Sequence, residues 1–499
     1  MHPFRFAGAS LLALSSPALA KPAATLRKAS GPEAAPPATQ VDPAAIDTLV
    51  PGGDGPVPAA AKPTGDAVLD RLDALEARVS ELEAENQKLR QQAELSEGRI
   101  ETVEVRSAKN VQFGGGPTFS DPSGNFTFHP RGWVDVDAAL FHERRGGYDY
   151  NDGTAFRRLR LAFEGTAFHW FNYRIEADFA GNAVNITDAY LQYTKVPHLV
   201  LTVGQHKAPF GLEANNSDHL NVFLERGMFN NVASAAGAER RIGISAAWSP
   251  RETVNLAAGF FGDNENISRS ANTPVTNTPD ESWGFNGRAT WEPVFDTGKI
   301  LHVGIAGFYR NSLKSGDIAD AVRLTDRPNI RIDNGNIADS GVITRAHSLK
   351  YAGLEAAAIR GPFTLVGEAG RLWVDRSGAE QVHFSGYYGY LSYFLTGETR
   401  PMKGGNYDRI RPLREFGKDG LGAIEAAGRY DHIDLKDAPV AARSGNDASS
   451  LTLGLNWYLN PYAKLQFNWV HFWGDNTPLD PIGSKTSGDA FATRLHFDL

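Results

Sequence analysis

Most of the chain alternates between apolar and polar residues. From about Phe126 the alternation recurs in about sixteen segments, each long enough for a strand that crosses a membrane at a tilt. Successive side chains of a strand point to opposite faces, so this period of two predicts strands with one apolar and one polar face. The segments centre on Val134, Leu161, Ile175, Leu191, Leu201, Ile244, Leu256, Gly287, Val303, Leu354, Leu365, Leu391, Ala426, Leu453, Phe467 and Leu495. Single-chain bacterial barrels have an even number of strands, so the pattern predicts an all-β fold, a sixteen-stranded antiparallel transmembrane β-barrel over residues 126–499.

The connections between these segments alternate in length. Short turns are predicted at 167–170, 196–198, 249–251, 360–362 and 459–461, and longer loops at 144–155, 207–240, 262–281 and 311–345. A barrel has short periplasmic turns and long outer loops. One connection departs from this rule, because 397–420 should be a short turn and is instead long and basic.

A different period precedes the strands. Leucines recur every seven residues at Leu75, Leu82 and Leu89, and Asn86 occupies a core position of the same heptad pattern. Leucine at consecutive d positions predicts an α-helical coiled coil over residues 65–97, with Asn86 fixing its register. The alternative is a single amphipathic helix that packs on another element.

The N-terminal region carries targeting and linker signals. Residues 1–20 combine a positive charge, a short apolar core and the small-residue end Ala18-Leu19-Ala20, which predicts a secretory signal peptide. Residues 21–64 are rich in Ala and Pro and predict a linker. A second linker is predicted at 98–125. The coiled coil would then lie in the periplasm of a Gram-negative bacterium, ahead of a barrel in the outer membrane.

The stretch from Leu201 to Trp248 predicts where the barrel narrows. Two alternating runs enclose about thirty irregular residues, and a loop of that length between strands is unusual unless it has a function. Within a closed barrel such a loop can fold into the lumen. Lys207 begins this loop, and Arg240 and Arg241 end it.

The alternation also places charges inside the barrel. If Leu159, Leu161 and Phe163 face lipid, their neighbours Arg158 and Arg160 face the lumen, and the next strand adds Arg174 by the same rule. Guanidinium groups bind oxyanions in a bidentate fork, so these arginines predict an arginine-lined pore for anions. Acidic residues share the same strand faces, namely Glu164, Glu176 and Asp178. A second interpretation is therefore that the arginines pair with these acids and brace the wall.

Composition narrows the classes of function. The formal net charge of −8 argues against a nucleic-acid partner. The chain has no cysteine, which excludes disulfides, thiolate catalysis and cysteine-based zinc sites. Mean hydropathy is −0.33, as expected of strands that average apolar and polar faces. We expect neither a cofactor nor a metal.

Several motifs in residues 132–499 resemble those of the phosphate-selective porins of bacterial outer membranes. They occur at 157–165, 188–193, 201–213, 393–400 and 455–461, and the most specific are Arg157-Arg158-Leu159-Arg160 and Pro209-Phe210-Gly211-Leu212-Glu213. The resemblance implies a homotrimer of sixteen-stranded barrels and passive diffusion through a constriction lined by arginine and lysine. It assigns the constriction to Arg158, Arg160, Lys207 and Arg241. His206 departs from the family pattern, which has an aromatic residue before the lysine.

Three functions from different classes are compatible with these features. The first is an outer-membrane porin for anions, with inorganic phosphate or polyphosphate as solute and lipid around the barrel; its alternative is a general anion or small-solute porin. The second is a barrel enzyme, which would need Ser, His and Asp to converge, and the inward-facing residues include no such set. The third is a tether whose coiled coil reaches the cell wall.

Overall fold

The computed structural model describes residues 65–113, 116–263, 281–315, 318–437, 446–475 and 485–498. The predicted signal peptide (1–20) and the first linker (21–64) lie outside these ranges. Within them, no helix has the length and apolar character needed to cross a membrane.

Sixteen long strands form one antiparallel barrel, which confirms the predicted fold class. Each strand contains one of the sixteen predicted centres. In chain order they are β1 Thr127–Arg145, β2 Gly153–Ala167, β3 Phe171–Asp178, β4 Asn185–Tyr193, β5 Leu199–Lys207, β6 Arg240–Arg251, β7 Val254–Phe261, β8 Gly284–Asp296, β9 Lys299–Asn311, β10 Ala346–Arg360, β11 Phe363–Arg376, β12 Val382–Phe394, β13 Ala423–Asp434, β14 Asp447–Asn460, β15 Ala463–Asp475 and β16 Lys485–Asp498.

The sheet closes on itself because β16 pairs with β1, with Phe491 opposite Leu140. Closure leaves no unpaired strand edge, as a membrane requires. The turns after even-numbered strands are short apart from the β12–β13 connection (395–422), and most connections at the other end are longer. The predicted alternation of loop lengths is therefore present, with its exception in the predicted place.

The alternation separates an outer apolar surface from a polar interior. On the outside, Ile175, Val203 and Ile244 remain 56%, 55% and 54% exposed. Inside, Arg158 and Glu176 are buried. An arginine facing lipid costs about 2–4 kcal/mol at mid-membrane, so the register of each strand is determined by which residues are apolar.

A helix, α1, covers Gly65–Asn110 and continues beyond the predicted end of the coiled coil at 97. Two short strands, Val111–Phe113 and Pro117–Ser120, follow it in the range predicted as a second linker. No proline interrupts residues 98–110, which allows the helix to continue. Leu75, Leu82 and Leu89 are exposed along α1.

Three connections carry further structure. The β5–β6 loop (208–239) contains two helices, α2 Leu212–Asn215 and α3 Met228–Gly237, and a 3₁₀ turn. The β9–β10 loop (312–345) and the β12–β13 connection contain strands of two residues each. These are Lys314–Ser315, Ile318–Ala319, Ala321–Val322, Thr325–Asp326, Ala338–Asp339, Ile343–Thr344, Met402–Lys403 and Asn406–Tyr407.

Candidate functional site

The β5–β6 loop folds into the barrel. Its side chains Phe210, Leu212 and Met228 are almost fully buried. Phe210 packs against Tyr351 of β10, with ring centroids 4.6 Å apart. A loop on the surface would leave such side chains in water, so the loop is held inside by apolar contacts with the inner wall.

The motif Pro209–Glu213 anchors this loop to the opposite wall. The backbone N–H of Glu213 donates to Oε1 of Glu368 on β11 over 2.7 Å, and Asn230 donates to the same oxygen over 3.1 Å. A Cβ atom at Gly211 would lie 2.1 Å from Oε2 of Glu368, so a larger residue would have to displace the carboxylate that holds the loop. The Glu213 carboxylate in turn accepts a bond from the N–H of Gly227. This motif of the family resemblance therefore determines the position of the loop.

A cavity of about 320 Å³ lies between the loop and the barrel wall. Six arginines and four carboxylates line it, so positive charge is in excess by two. The arginines are Arg157, Arg158, Arg160, Arg226, Arg240 and Arg331, and the carboxylates are Asp218, Glu225, Glu239 and Asp326. Three of the six predicted site residues, Arg158, Arg160 and Arg240, lie in this lining.

Arg158 and Arg160 point into the lumen from β2, as the alternation predicted. Arg158 donates to Asp135 over 3.1 Å, and its Nε lies 3.2 Å from Asp218 of the loop. Arg160 donates to Asp178 over 2.7 Å, and its guanidinium stacks 4.7 Å from the ring centroid of Trp133. These arginines therefore pair with acids and also line the cavity.

Arg157 is a lining residue that strict alternation missed. Asp135 pairs with Arg158 while Val136 pairs with Phe156, so Arg157 is an extra residue in β2. Such a β-bulge turns two consecutive side chains to one face. Arg157 reaches Glu225 of the loop through two hydrogen bonds of 2.7 and 3.0 Å. A run of adjacent basic residues in a strand is the only sequence signal for this bulge.

Arg226 and Arg331 come from irregular segments and carried no periodic signal. Arg226, in the β5–β6 loop, binds Asp218 and also Glu239 over 2.7 Å. Arg331 reaches the cavity from the β9–β10 loop, and its Nε lies 3.6 Å from Glu225. Two loops distant in sequence thus complete the ring of arginines that β2 and β6 begin.

Lys207 and Arg241 lie outside the cavity lining and hold the ends of the loop. The Lys207 ammonium donates to the carbonyl oxygens of Ala214 over 3.0 Å and Asn216 over 2.6 Å. Arg241 donates to the carbonyl oxygen of Ala236 over 3.2 Å. These bonds satisfy carbonyl groups that the folded loop would otherwise leave unpaired.

Arg174 and Arg240 share two acidic partners, Asp188 and Glu176. Arg174 lies outside the lining, where it pairs with Glu164 over 3.2 Å and with Asp188 over 3.6 Å. Arg240 donates a single hydrogen bond within the part of the chain that the structure describes, from Nε to Asp188 over 2.9 Å. Since a guanidinium carries five N–H donors, Arg240 retains donors that can bind an anion in the cavity.

Two carboxylates of the β5–β6 loop, Asp218 and Glu239, keep their charge at neutral pH. Burial opposes ionisation of Asp218, but Arg158 and Arg226 outweigh it and hold its pKa well below the usual range. Burial also raises the pKa of Glu239, but Arg226 and Lys207 outweigh that effect and lower the pKa to about 2. The lumen is therefore a network of ionised groups of both signs. Among the described residues, no group of three His, Cys, Asp or Glu is arranged to hold a metal ion.

The long β12–β13 connection also enters the barrel, from the short-turn end. Arg400 is fully buried, pairs with Glu425 of β13 and donates to the carbonyl oxygen of Leu220 over 3.4 Å. The N–H of Tyr407 donates to the Asn216 side chain over 2.9 Å. This segment therefore contacts the β5–β6 loop from the short-turn end of the barrel. Part of its positive charge is paired with an acid of the barrel wall, since Arg400 binds Glu425.

Comparison with known proteins places this architecture in a family. Residues 128–499 match the family described as phosphate-selective porin O and P. Porin O of Pseudomonas aeruginosa is 28% identical over 418 residues, covering 77% of this chain and 91% of that protein. An uncharacterized protein of Caulobacter vibrioides is 31% identical over 363 residues, covering 72% of this chain and 70% of its own length.

Solved structures of outer-membrane proteins are similar at low sequence identity. OmpT of Vibrio cholerae is 10% identical with a TM-score of 0.48, and the match covers 75% of this chain and 98% of that one. OprB of Pseudomonas putida is 9% identical with a TM-score of 0.44, and the match covers 75% of this chain and 94% of that one.

Proposed function

The chain belongs to the phosphate-selective porin O and P family of outer-membrane β-barrels, and from that premise we propose that it lets small anions diffuse through the arginine-lined cavity, with inorganic phosphate or polyphosphate as the preferred solute. The observation that carries this proposal is the convergence of six arginines from four separate segments on one cavity. A narrow lumen with low-dielectric walls strengthens the field of such charges.

The balance of charges suits transport rather than tight capture. Guanidinium groups replace part of the hydration shell that an oxyanion loses on entering the constriction. Conduction also requires that the anion leave, and Asp218, Glu225 and Glu239 moderate binding by sharing the arginines. These carboxylates are also the reason to keep a general anion porin as the second candidate.

We further propose that the channel is a homotrimer in contact with outer-membrane lipid, and that α1 projects into the periplasm. The exposed leucines of α1 support a role in self-association, because a lone helix would leave Leu75, Leu82 and Leu89 in water. A periplasmic coiled coil could also contact the cell wall, which would add tethering to transport.

Adjacent arginines of β6 provide the test. We expect the purified full-length protein in a planar bilayer to prefer chloride in asymmetric KCl, and phosphate to block that current. Arg240→Gln removes a group that lines the cavity and should raise the half-blocking phosphate concentration about tenfold. Arg241→Gln, outside the lining, is the matched control and should change it less than about twofold.

The possible results separate the candidates. A wild-type pore that prefers potassium would overturn the anion channel. A pore that prefers chloride but does not respond to phosphate would favour the general anion porin. Equal effects of the two substitutions would show that Arg240 does not act on phosphate through its place in the cavity lining.

A further inference from the structure

Arg371 of the barrel faces the lipid and has no partner among the residues that the structure describes. Arg371 lies on the outward row of β11, which also contains Phe363, Leu365, Ala369 and Trp373, and its side chain is exposed. Among the described residues it forms no hydrogen bond or ion pair. A guanidinium on an apolar surface, with no protein acceptor, requires an acceptor from elsewhere.

The position of Arg371 corresponds to the outer headgroup region of a membrane. Arg371 lies eight positions along β11 from Phe363, which is at the short-turn end of the strand. This separation is about 27 Å along the strand and about 21 Å in height at a typical tilt. The apolar band of such barrels is about 25 Å tall. Trp373 stands one row further out, where aromatic residues mark the interface. Arg371 is therefore at the outer edge of the band, on the side of the long loops.

A second cation accompanies it. Lys350 of β10 lies opposite Trp373, and Ala352 two residues further along lies opposite Arg371. The Lys350 ammonium is half-exposed and pairs with Asp375 over 2.6 Å. On the other side, Ser385 of β12 lies opposite Arg371 and offers a hydroxyl. The two cations and the hydroxyl group therefore lie in two neighbouring rows on the outside of the barrel.

An apolar groove of about 1170 Å³ crosses the outside of the barrel from β6 to β12. Arg371 and Ser385 line its end on β11 and β12, and the small side chains of Ala352 and Ala369 form part of its floor. A second groove of about 980 Å³ shares Ala369 with the first and continues past Val303 and Trp291. The two grooves together extend from Arg371 towards the short-turn end of the barrel, so an apolar surface lies next to the cation.

We propose that this surface binds an anionic lipid of the outer leaflet, with its phosphate on Arg371 and Lys350 and an acyl chain in the groove. Charge complementarity selects the headgroup, because a guanidinium binds phosphate bidentately. The depth of Arg371 and the apolar groove beneath it select a lipid over a soluble anion. This site is on the opposite face of the wall from the cavity, so it is independent of the pore function.

The test measures lipid bound to the full-length protein in detergent by native mass spectrometry. The probe is bis-phosphorylated lipid A, with phosphatidylcholine as the neutral comparison. Wild type should retain lipid A preferentially, and Arg371→Gln combined with Lys350→Gln should weaken retention about tenfold. Arg360→Gln is the matched control, because Arg360 is an exposed outward residue of β10 at the short-turn end.

A further variant and a competing ligand distinguish the possible explanations of each result. Ala369→Trp fills the groove and leaves both cations, so it should also reduce retention of lipid A, and it serves as the main variant if the double substitution fails to fold. Millimolar inorganic phosphate should not displace the lipid. Equal retention by wild type and the folded variants would overturn the site. Displacement by inorganic phosphate would show a site for free anions, and equal retention of phosphatidylcholine would show an apolar surface without headgroup recognition.

Discussion

Glu225 joins the loop, the barrel wall and the cavity through its single carboxylate. Arg157 donates two hydrogen bonds to it, Arg494 of β16 donates one over 3.0 Å, and Arg331 lies 3.6 Å away. Burial opposes its ionisation, but Arg157 first, and then Arg494 and Arg158, hold its pKa well below the usual range. One residue therefore positions the loop and also cancels positive charge where the anion would pass.

Replacing Glu225 by Gln should make the pore more selective for anions. The cavity gains one positive charge, and we expect the chloride-to-potassium permeability ratio in asymmetric KCl to rise about threefold. Glu164→Gln is the control, because Glu164 pairs with Arg131 and Arg174 but does not line the cavity. A fall in anion selectivity would contradict the assigned role. The loop should also loosen, since removal of one partner of a buried ion pair commonly costs about 3–5 kcal/mol.

At the scale of the element, the strands of the barrel are defined by one apolar face and are interrupted by bulges. Around Ile175 of β3 and Gln192 of β4 the alternation is clear, with Ile175 exposed outside and Gln192 directed inward, where it donates to Thr202 over 3.2 Å. On β2 the bulge at Arg157 breaks the alternation and adds a charge to the lumen. A bulge costs one ladder position but leaves the lipid face on either side intact.

The same substitution on opposite faces of the β3–β4 hairpin should have different effects on assembly. Ile175→Arg places a charge in lipid near mid-membrane, at a cost of about 2–4 kcal/mol. Gln192→Arg places it in the lumen and loses one hydrogen bond, worth about 1 kcal/mol. Refolding into lipid vesicles, followed by the heat-modifiable mobility of the barrel on gels, should show a lower folded fraction for Ile175→Arg. Equal folded fractions would mean that the strand register is wrong.

At the scale of the whole molecule, the chain combines an acidic balance of charge with a basic constriction. The formal net charge is −8, yet the cavity lining has two more arginines than carboxylates. The barrel closes through the pairing of β16 with β1. The leucines of α1 are exposed in the single chain. Since an exposed leucine stripe is unfavourable in water, α1 is expected to bury it against copies of itself.

A peptide of residues 65–97 should therefore be helical and oligomeric. We expect association at hundreds of micromolar or below in sedimentation equilibrium, because about four heptads carry the pattern. The matched control replaces Leu75 and Leu82 by Asp, which should leave a monomeric and mostly unfolded peptide. A wild-type peptide that stays monomeric and unfolded at these concentrations would exclude an autonomous coiled coil and leave the barrel alone to hold the oligomer.

The sequence by itself determined the features that depend on local period. A period of two identified all sixteen strands and the inward direction of Arg158 and Arg160, because burial of one face requires apolar residues at every second position. A period of seven identified the helix that begins at Gly65, although not its end at Asn110.

Only the tertiary structure decided which charges meet. Arg226 and Arg331 lie in irregular loops whose paths depend on contacts with distant strands, and Arg157 depends on a bulge in pairing between two strands. Lys207 and Arg241 flank the loop as expected, yet they bind its carbonyl groups and lie outside the cavity lining. The physical reason is that a loop inside a barrel is positioned by long-range packing and ion pairs, which leave no period in the chain.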